Sequence, residues 1–227
     1  MNKTNYKKYH RDDTYLENES LFRNIFQKRY TLISKYIESP SKVLDIGCSN
    51  GVFLDLYMES ETWGVEPSQN AHKINKKHKV INSTFEIAKL PLNYFDLVIM
   101  NHTLEHLKRP SDVLTKIKSL LKKDGIVFID VPNVGSLSSK ILGNKWPYLL
   151  PEEHLWQFDK KSITKLTKDA GFEVLHWESR SGIFEYTNPF LELKRKRFLI
   201  DILTIPYALI ATIFNMGDSM SIVAMKQ

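Results

Sequence analysis

The chain has 227 residues, of which 42% are apolar and 26% charged, and its formal net charge is +6. This composition supplies a core for one good-sized domain. The single cysteine, Cys48, excludes an intrachain disulfide, and no fixed-period repeat is visible. The basic balance is compatible with anionic partners but identifies none of them.

The first predicted elements are a polar arm over residues 1–18 and a helix over 19–38, where apolar residues recur at helical intervals. The arm begins "MNKTNYKKYHRDD" and lacks the apolar core of a signal peptide, so we expect a cytoplasmic protein. Short apolar runs then predict strands separated by helical patterns: "KVLDIG", "TWGVEPS", "KVIN", "FDLVIM", "IVFIDVPN", "FEVLHWES" and "SMSIVAMK".

This alternation predicts a Rossmann-like α/β fold, a doubly wound seven-stranded sheet with helices on both faces and an antiparallel last strand. We assign residues 39–182 and 218–227 to the core and 1–38 to an N-terminal helical arm. The segment 183–217 is too long for a bare loop between the final two strands. We therefore predict a helical insertion there, which forms a cap on the substrate side together with the arm.

The turn after the first strand, "VLDIGCSNG", places Asp45, Gly47 and Gly51 in the spacing D-x-G-x-x-x-G. Open α/β sheets bind ligands at such turns, and a carboxylate there favours a ligand with a cationic group. Glu66 ends the next strand, where an acidic residue can accept both hydroxyls of a ribose. S-adenosylmethionine meets both demands. A nicotinamide-dependent dehydrogenase, the rival with this fold, favours G-x-G-x-x-G, but Asp45 stands in place of its first glycine.

Four segments in order resemble the successive motifs of class I S-adenosylmethionine-dependent methyltransferases: "VLDIGCSNGVFL", "TWGVEPS", "LPLNYFDLVIMNHTLEHLKRP" and "LLKKDGIVFIDVPN". The later "EEHLWQFDKKSITKLTKDAGFEV" resembles the subfamily that methylates sugars, glycans and small natural products. In place of the middle glycine that is frequent in the family's turn, this chain has Ser49. The resemblance implies these cofactor-binding residues: Asp45, Gly47, Cys48, Ser49, Gly51, Glu66, Pro67, Glu86, Ile87, Asn101 and His102.

The stretch "NHTLEH", residues 101–106, also contains the spacing H-x-x-E-H of a group of zinc peptidases. Zinc at His102 and His106 would need a third protein ligand. His154 could supply one, but its spacing from the other two histidines does not indicate a zinc site. We therefore expect no metal. Metal-assisted methyl transfer is a minority alternative, and local hydrogen bonding by Glu105 and His106 is another.

A hydroxyl acceptor must lose its proton during methyl transfer, so a positioned base is expected. The catalytic candidates are His154, Glu153 and His106. "LLPEEHLWQF" lies where the resembling family supplies substrate contacts, and we favour His154, which Glu153 would orient. The alternative is that His154 and Trp156 only pack and cap the helix that begins near Asp159, where Asp159 followed by Lys-Lys-Ser resembles an N-cap.

The predicted function is O-methylation of a sugar or glycan-like acceptor, with a phosphorylated acceptor included. The alternatives are methylation of a quinone or other lipid-linked precursor at the membrane surface, and a non-catalytic cofactor-binding module. Four cations at 194–197 precede a mostly apolar run, so residues 194–214 could contact an anionic inner membrane surface peripherally. We expect no nucleic-acid partner. The acceptor atom and the oligomeric state stay open.

Overall fold

The computed structural model describes residues 19–68, 76–192 and 202–227. The predicted polar arm and the cationic run at 194–197 lie outside the described residues.

Seven strands form one mixed sheet in the order β3-β2-β1-β4-β5-β7-β6. The first five strands pair in parallel, and β7 is antiparallel to both of its neighbours. This topology confirms the predicted Rossmann-like sheet with its antiparallel last strand. The strands are β1 (Lys42–Ile46), β2 (Glu61–Val65), β3 (Lys79–Ile81), β4 (Phe95–Asn101), β5 (Leu121–Pro132), β6 (Phe172–Arg180) and β7 (Ser219–Lys226).

The described α-helices are α1 (Glu19–Ile33), α2 (Pro110–Leu120), α3 (Leu137–Leu142), α4 (Lys160–Asp169) and α5 (Ile205–Ile213). Helix α4 begins at the predicted cap, because the Asp159 carboxylate accepts from the backbone N–H of Ser162 and the Ser162 hydroxyl accepts in return. The helical pattern after β1 forms only a short 3₁₀ turn, Leu54–Tyr57.

The core lies on both faces of the sheet, as parallel strands with covering helices require. Neighbouring residues of one strand face opposite sides, so Val43 and Leu97 enter one apolar cluster while Leu44 and Val98 enter the other. Helix α1 covers the first cluster, and α2 with α4 covers the second.

The segment 181–218 leaves and rejoins the sheet at the carboxyl edge of the parallel strands. Ser219, the first residue of β7, pairs with Pro132 at the end of β5 and with Arg180 at the end of β6. Its described part contains the 3₁₀ turns Gly182–Glu185 and Pro189–Glu192 and then helix α5. The role of this segment as a cap over the acceptor stays a prediction.

Asp218 holds the base of this segment. Its carboxylate accepts hydrogen bonds from Trp146 Nε1 at 3.2 Å, Ser181 Oγ at 2.7 Å and Tyr207 OH at 3.0 Å, and also from Ser138 Oγ. Four separate stretches of chain therefore meet at one carboxylate.

Candidate active site

A cavity of about 480 Å³ opens at the carboxyl ends of β1, β2 and β4. Its wall includes the turns after these three strands and a later stretch around residues 152–155. The predicted site residues that line it are Gly47, Ser49, Glu66, Pro67, Glu86, Asn101, His102, His106 and Glu153.

The turn after β1 requires backbone conformations that glycine favours. Gly47 has φ +78°, and a Cβ on it would lie 2.4 Å from Thr103 Oγ1, so no side chain fits there. Ser49 adopts φ +46° without being a glycine. The left-handed backbone explains why the resembling family often has glycine at this position, and the chain keeps that conformation with serine.

Glu66 fastens this turn to the end of β2. One carboxylate oxygen accepts from the Ser49 N–H and the other from the Ser68 N–H, both at 2.8 Å. The side chain is buried and still lines the cavity. A carboxylate held by two backbone donors is fixed in direction, which suits recognition of a ligand's hydroxyl groups.

Asp45 lies in a small recess of the same wall, which it shares with Gly47, Ser49 and Asn101. Only 3% of the residue is exposed. Burial, and then the negative charge of Glu66, raise the pKa of Asp45 to about 8. A carboxylate that is costly to ionise when alone is stabilised by a cation, so this recess suits a ligand's ammonium group.

Besides Asp45, four predicted residues lie outside the main cavity, each in different surroundings. Cys48 lines the recess beside Asp45, and a Cβ on Gly64 would lie 2.5 Å from its sulfur. Gly51 has φ +81° and serves the turn. Ile87 is 74% exposed and lies outside the cavity wall, where Phe85 is the apolar side chain instead. His154 is buried behind the wall.

Sequence reasoning missed Phe85, Ser68 and Lys108, all of which line the cavity. Phe85 directly precedes the predicted Glu86, so its aromatic ring was the available signal. Ser68 and Lys108 lie within the segments that resemble the family's motifs, but no spacing marks them as site residues.

His102 is held between two buried carboxylates. Its Nε2 lies 3.3 Å from Asp130 Oδ1 and its Nδ1 lies 3.4 Å from Glu105 Oε1. The backbone N–H of His102 also donates to the Asp130 carbonyl at 2.7 Å, at φ +51°. The imidazole is therefore fixed on the cavity floor.

Asp130 belongs to a larger buried ionic network. Arg29 Nε lies 3.3 Å from its carboxylate, and Arg29 Nη2 lies 3.0 Å from Glu185 Oε2. The hydroxyls of Ser219 and Ser221 both donate to Asp130 at 2.5 Å. Burial alone would raise the pKa of Asp130, but Arg29, His102 and the two hydroxyls outweigh it and lower that pKa.

The three catalytic candidates do not all reach the cavity. His106 and Glu153 line it, and His106 Nδ1 donates to the Glu153 carbonyl at 2.9 Å. His154 is 3% exposed, its Nδ1 donates to the Tyr148 carbonyl at 2.8 Å, and its ring centre lies 4.7 Å from that of His106. The carbonyl contact turns the His154 ring inward, behind His106. His154 therefore does not reach the cavity, and it could affect catalysis only indirectly, through residues that contact it. The catalytic assignments stay predictions.

The carboxylates of Asp45 and Glu66, the left-handed turn between them and the adjoining cavity fit an amino-acid nucleoside such as S-adenosylmethionine. Together with the strand order, they define a class I S-adenosylmethionine-dependent methyltransferase fold.

Comparisons with known proteins agree with this class. The family described as a methyltransferase domain matches residues 18–177, so the chain belongs to that family. The match confirms the predicted class and agrees with S-adenosylmethionine as the cofactor. The glycan subfamily is not confirmed by it.

Individual relatives are more distant. An uncharacterized methyltransferase from Schizosaccharomyces pombe is 33% identical over 116 residues, which cover 43% of this chain and 42% of that protein. A ubiquinone biosynthesis O-methyltransferase from Haemophilus ducreyi is 29% identical over 107 residues, or 40% of this chain and 45% of that protein. The chain thus spans less than half the length of these two curated relatives.

Among solved structures, a methyltransferase from Archaeoglobus fulgidus that depends on S-adenosylmethionine superposes with a TM-score of 0.67 at 23% identity. The superposition covers 94% of this chain and 99% of that one. At this identity, the likeness shows the fold alone.

Proposed function

We propose that this protein transfers a methyl group from S-adenosylmethionine to a hydroxyl oxygen of a sugar or glycan-like acceptor, including a phosphorylated one. The observation that supports this acceptor class is a group of polar side chains beyond the cofactor turns, on a cavity wall that is otherwise largely apolar. Lys108, Glu152, Glu153 and His106 all line it. Such groups suit a polyhydroxylated acceptor, since each can donate to or accept from a hydroxyl, and Lys108 can also pair with a phosphate.

The cofactor end follows from the two carboxylates. Asp45 pairs with the ammonium of the methionyl part, directly or through water, and Glu66 accepts from the ribose hydroxyls. Binding of a cation beside Asp45 relieves the charge repulsion between the two carboxylates, so one ligand satisfies both residues.

The reaction is an in-line displacement at the sulfonium methyl carbon. A bond forms from the acceptor oxygen to carbon as the carbon–sulfur bond breaks, and the electron pair stays on sulfur as S-adenosylhomocysteine. The main contribution of the chain is alignment of oxygen, carbon and sulfur. The hydroxyl proton must pass to a base, and Glu153 is the carboxylate candidate on the cavity wall.

The test is transfer of a labelled methyl group to a panel of sugars, sugar phosphates, nucleotide-linked sugars and phenolic quinone precursors. We expect an O-methylated sugar product with the wild type and much less of it with Asp45→Asn when the cofactor concentration is limiting. If a phenol is methylated and no sugar is, the acceptor is a phenolic quinone precursor and the proposed sugar acceptor is wrong. Tight cofactor binding without transfer to any compound would favour the non-catalytic alternative.

A second candidate, a lipid-linked precursor methylated at an anionic membrane surface, is favoured by one patch. Helix α5 and its flanks expose large apolar side chains, among them Leu203, Leu209, Ile213 and Phe214. Phe214 also borders an open groove of about 840 Å³ that four lysines of α4 line: Lys160, Lys161, Lys165 and Lys168. Apolar side chains beside cations are the pattern of a segment that lies on anionic lipid.

Within residues 19–68, 76–192 and 202–227, no helix is both long and apolar enough to span a bilayer. Flotation with anionic vesicles tests surface binding. If the second candidate holds, Ile213→Ser should weaken flotation, whereas Leu92→Ser, a change at an exposed apolar residue elsewhere, should not. If the wild type does not float with the vesicles, or if both variants lose flotation equally, the second candidate function is excluded and the sugar acceptor remains.

A further inference from the structure

Glu105, His106 and His154 form a compact cluster at the wall of the cavity. One possible ligand atom of each lies within 4.8 Å of those of the other two. Glu105 and His154 are buried, at 1% and 3% exposed, whereas His106 lines the cavity. The cluster thus joins the protein interior to the space assigned to the acceptor.

The Glu105 carboxylate is the first sign of a missing cation. Both of its oxygens are buried, and neither makes a hydrogen bond of good geometry among the described residues, where His102 is the nearest side-chain donor. The nearest ion-pair contacts are longer than a good hydrogen bond, at 3.4 Å to His102 Nδ1 and 3.9 Å to His106 Nε2. A buried carboxylate in this state is costly, and coordination of a metal ion would satisfy it.

The orientation of the two imidazoles is the second sign, and it is independent of the first. His106 Nδ1 faces the Glu153 carbonyl at 2.9 Å, and His154 Nδ1 faces the Tyr148 carbonyl at 2.8 Å. A carbonyl oxygen only accepts, so Nδ1 bears the proton in both rings and Nε2 bears the lone pair in the neutral form. Histidine ligands of metals are oriented by such Nδ1–H contacts.

We propose that Glu105, His106 and His154 bind one divalent transition-metal ion of the zinc type, through the carboxylate and the two Nε2 atoms. Two histidines and a glutamate are the protein ligands of open, catalytic zinc sites, whose fourth position takes water or a substrate oxygen. With zinc–ligand bonds of about 2.0–2.2 Å, tetrahedral ligand atoms lie roughly 3.3 Å apart. The three side chains therefore need to close by an ångström or so.

This set differs from the pair of histidines that the sequence suggested. His102 is engaged by the buried Asp130, so it is not the partner of His106. The third ligand is His154, which no local spacing connects with "NHTLEH". The proposal replaces our expectation of no metal, and it also removes His106 as a candidate base, because a metal would use the same lone pair.

When bound, such an ion lowers the pKa of a coordinated hydroxyl. An acceptor hydroxyl in the fourth position would then lose its proton more readily, which rests on the proposed methyl transfer. The metal site itself does not depend on that activity.

Cobalt(II) is the probe, because its visible absorption reports tetrahedral coordination. Chelator-stripped full-length protein, without cofactor or acceptor, is titrated with cobalt(II) and then with zinc. We expect one ion per chain and an intense tetrahedral spectrum that zinc displaces. Glu105→Gln and His154→Ala should weaken binding at least 10-fold, by removal of a ligand, while His176→Ala, outside the cluster, should leave it unchanged.

His154→Cys separates ligation from a folding defect. If residue 154 ligates the ion, the thiolate of this variant adds a sulfur-to-cobalt charge-transfer band in the near ultraviolet. Absence of stoichiometric binding in the wild type, or equal binding in Glu105→Gln and His176→Ala, overturns the proposal. Methyl transfer assayed separately in chelator-treated protein keeps a failure of the metal site distinct from a failure of the enzyme assignment.

Discussion

Asp45 and Asp130 are both buried aspartates near the carboxyl edge of the sheet, on β1 and β5, yet their surroundings are opposite. Asp130 contacts Arg29, His102 and two serine hydroxyls, and its pKa is lowered. Asp45 faces a recess beside the negative Glu66, and its pKa is raised to about 8. The comparison shows two roles for a buried carboxylate. Asp130 is paired with charged and polar groups of the chain itself and stabilises the fold, whereas Asp45 has no cationic partner among the described residues that line its recess and is suited to bind a cationic ligand.

The largest expected effect is at the satisfied carboxylate. Asp130→Ala leaves Arg29 buried with only part of its partners, and removal of one member of a buried ion pair costs about 3–5 kcal/mol. We expect the free energy of unfolding, measured with urea, to fall by that amount. If unfolding in the variant matched the wild type, Asp130 would not be a structural carboxylate and the contrast with Asp45 would fail.

Asp45→Asn should show the reverse pattern. Loss of a hydrogen bond to a charged group costs about 1.5–3 kcal/mol, so affinity for S-adenosylmethionine should fall by about 10- to 150-fold in calorimetry. The free energy of unfolding at pH 8 should stay equal or rise, because a repelled buried charge is removed. A large loss of stability would place Asp45 with Asp130 instead.

The pH dependence sharpens the same prediction. The pKa of Asp45 rises from 3.8 to about 8 on folding. Between these values the folded state holds a proton that the unfolded state has released, so the contribution of Asp45 to stability falls as pH rises toward 8. The difference in unfolding free energy between wild type and Asp45→Asn should therefore shift in favour of the variant from pH 5 to pH 8.

Glu66→Ala tests the second cofactor carboxylate. It removes the acceptor assigned to the ribose hydroxyls, so cofactor binding should weaken by about 1–3 kcal/mol. Calorimetry at constant pH measures this loss, with the exposed Glu173→Ala as the control. Equal affinities of wild type and Glu66→Ala would show that Glu66 only fastens the Ser49 and Ser68 amides.

Ser49→Gly should have the smallest effect. Serine at φ +46° has a backbone strain of about 1 kcal/mol that glycine does not have, partly offset by the greater entropy of unfolded glycine. We expect cofactor affinity within about threefold of wild type and a change in unfolding free energy below about 1 kcal/mol. A large loss of affinity would mean that the Ser49 hydroxyl itself contacts the ligand.

The sheet and the cofactor turn could be predicted from the sequence because their signals are local. Apolar runs that alternate with helical patterns predicted the strands. Asp45 is the penultimate residue of β1, and Gly47 and Glu66 directly follow the ends of β1 and β2. The Asp159 cap was also local, since Asp159 and Ser162 form their reciprocal bonds within a single turn.

The remainder depends on residues that are distant in sequence. Arg29, Asp130 and Glu185 meet only after three elements pack, and no periodicity relates them. His154 meets His106 for the same reason, and no spacing in the sequence connects the two. Ile87 was assigned to the cofactor site by resemblance, but Phe85, two residues earlier, lines the cavity instead.

The position of β7 has a consequence for assembly on the ribosome. This strand is synthesised after the other six, yet it lies between β5 and β6 rather than at an edge. Strand β6 can join the sheet only through β7, and the Asp218 junction just before β7 closes at the same time. Strands β1 to β5, which carry the cofactor site, can therefore pair early during translation. Strand β6 and helix α5 can pack only after β7 has been synthesised. Until then, β6 and α5 are exposed to chaperones and proteases in the nascent chain.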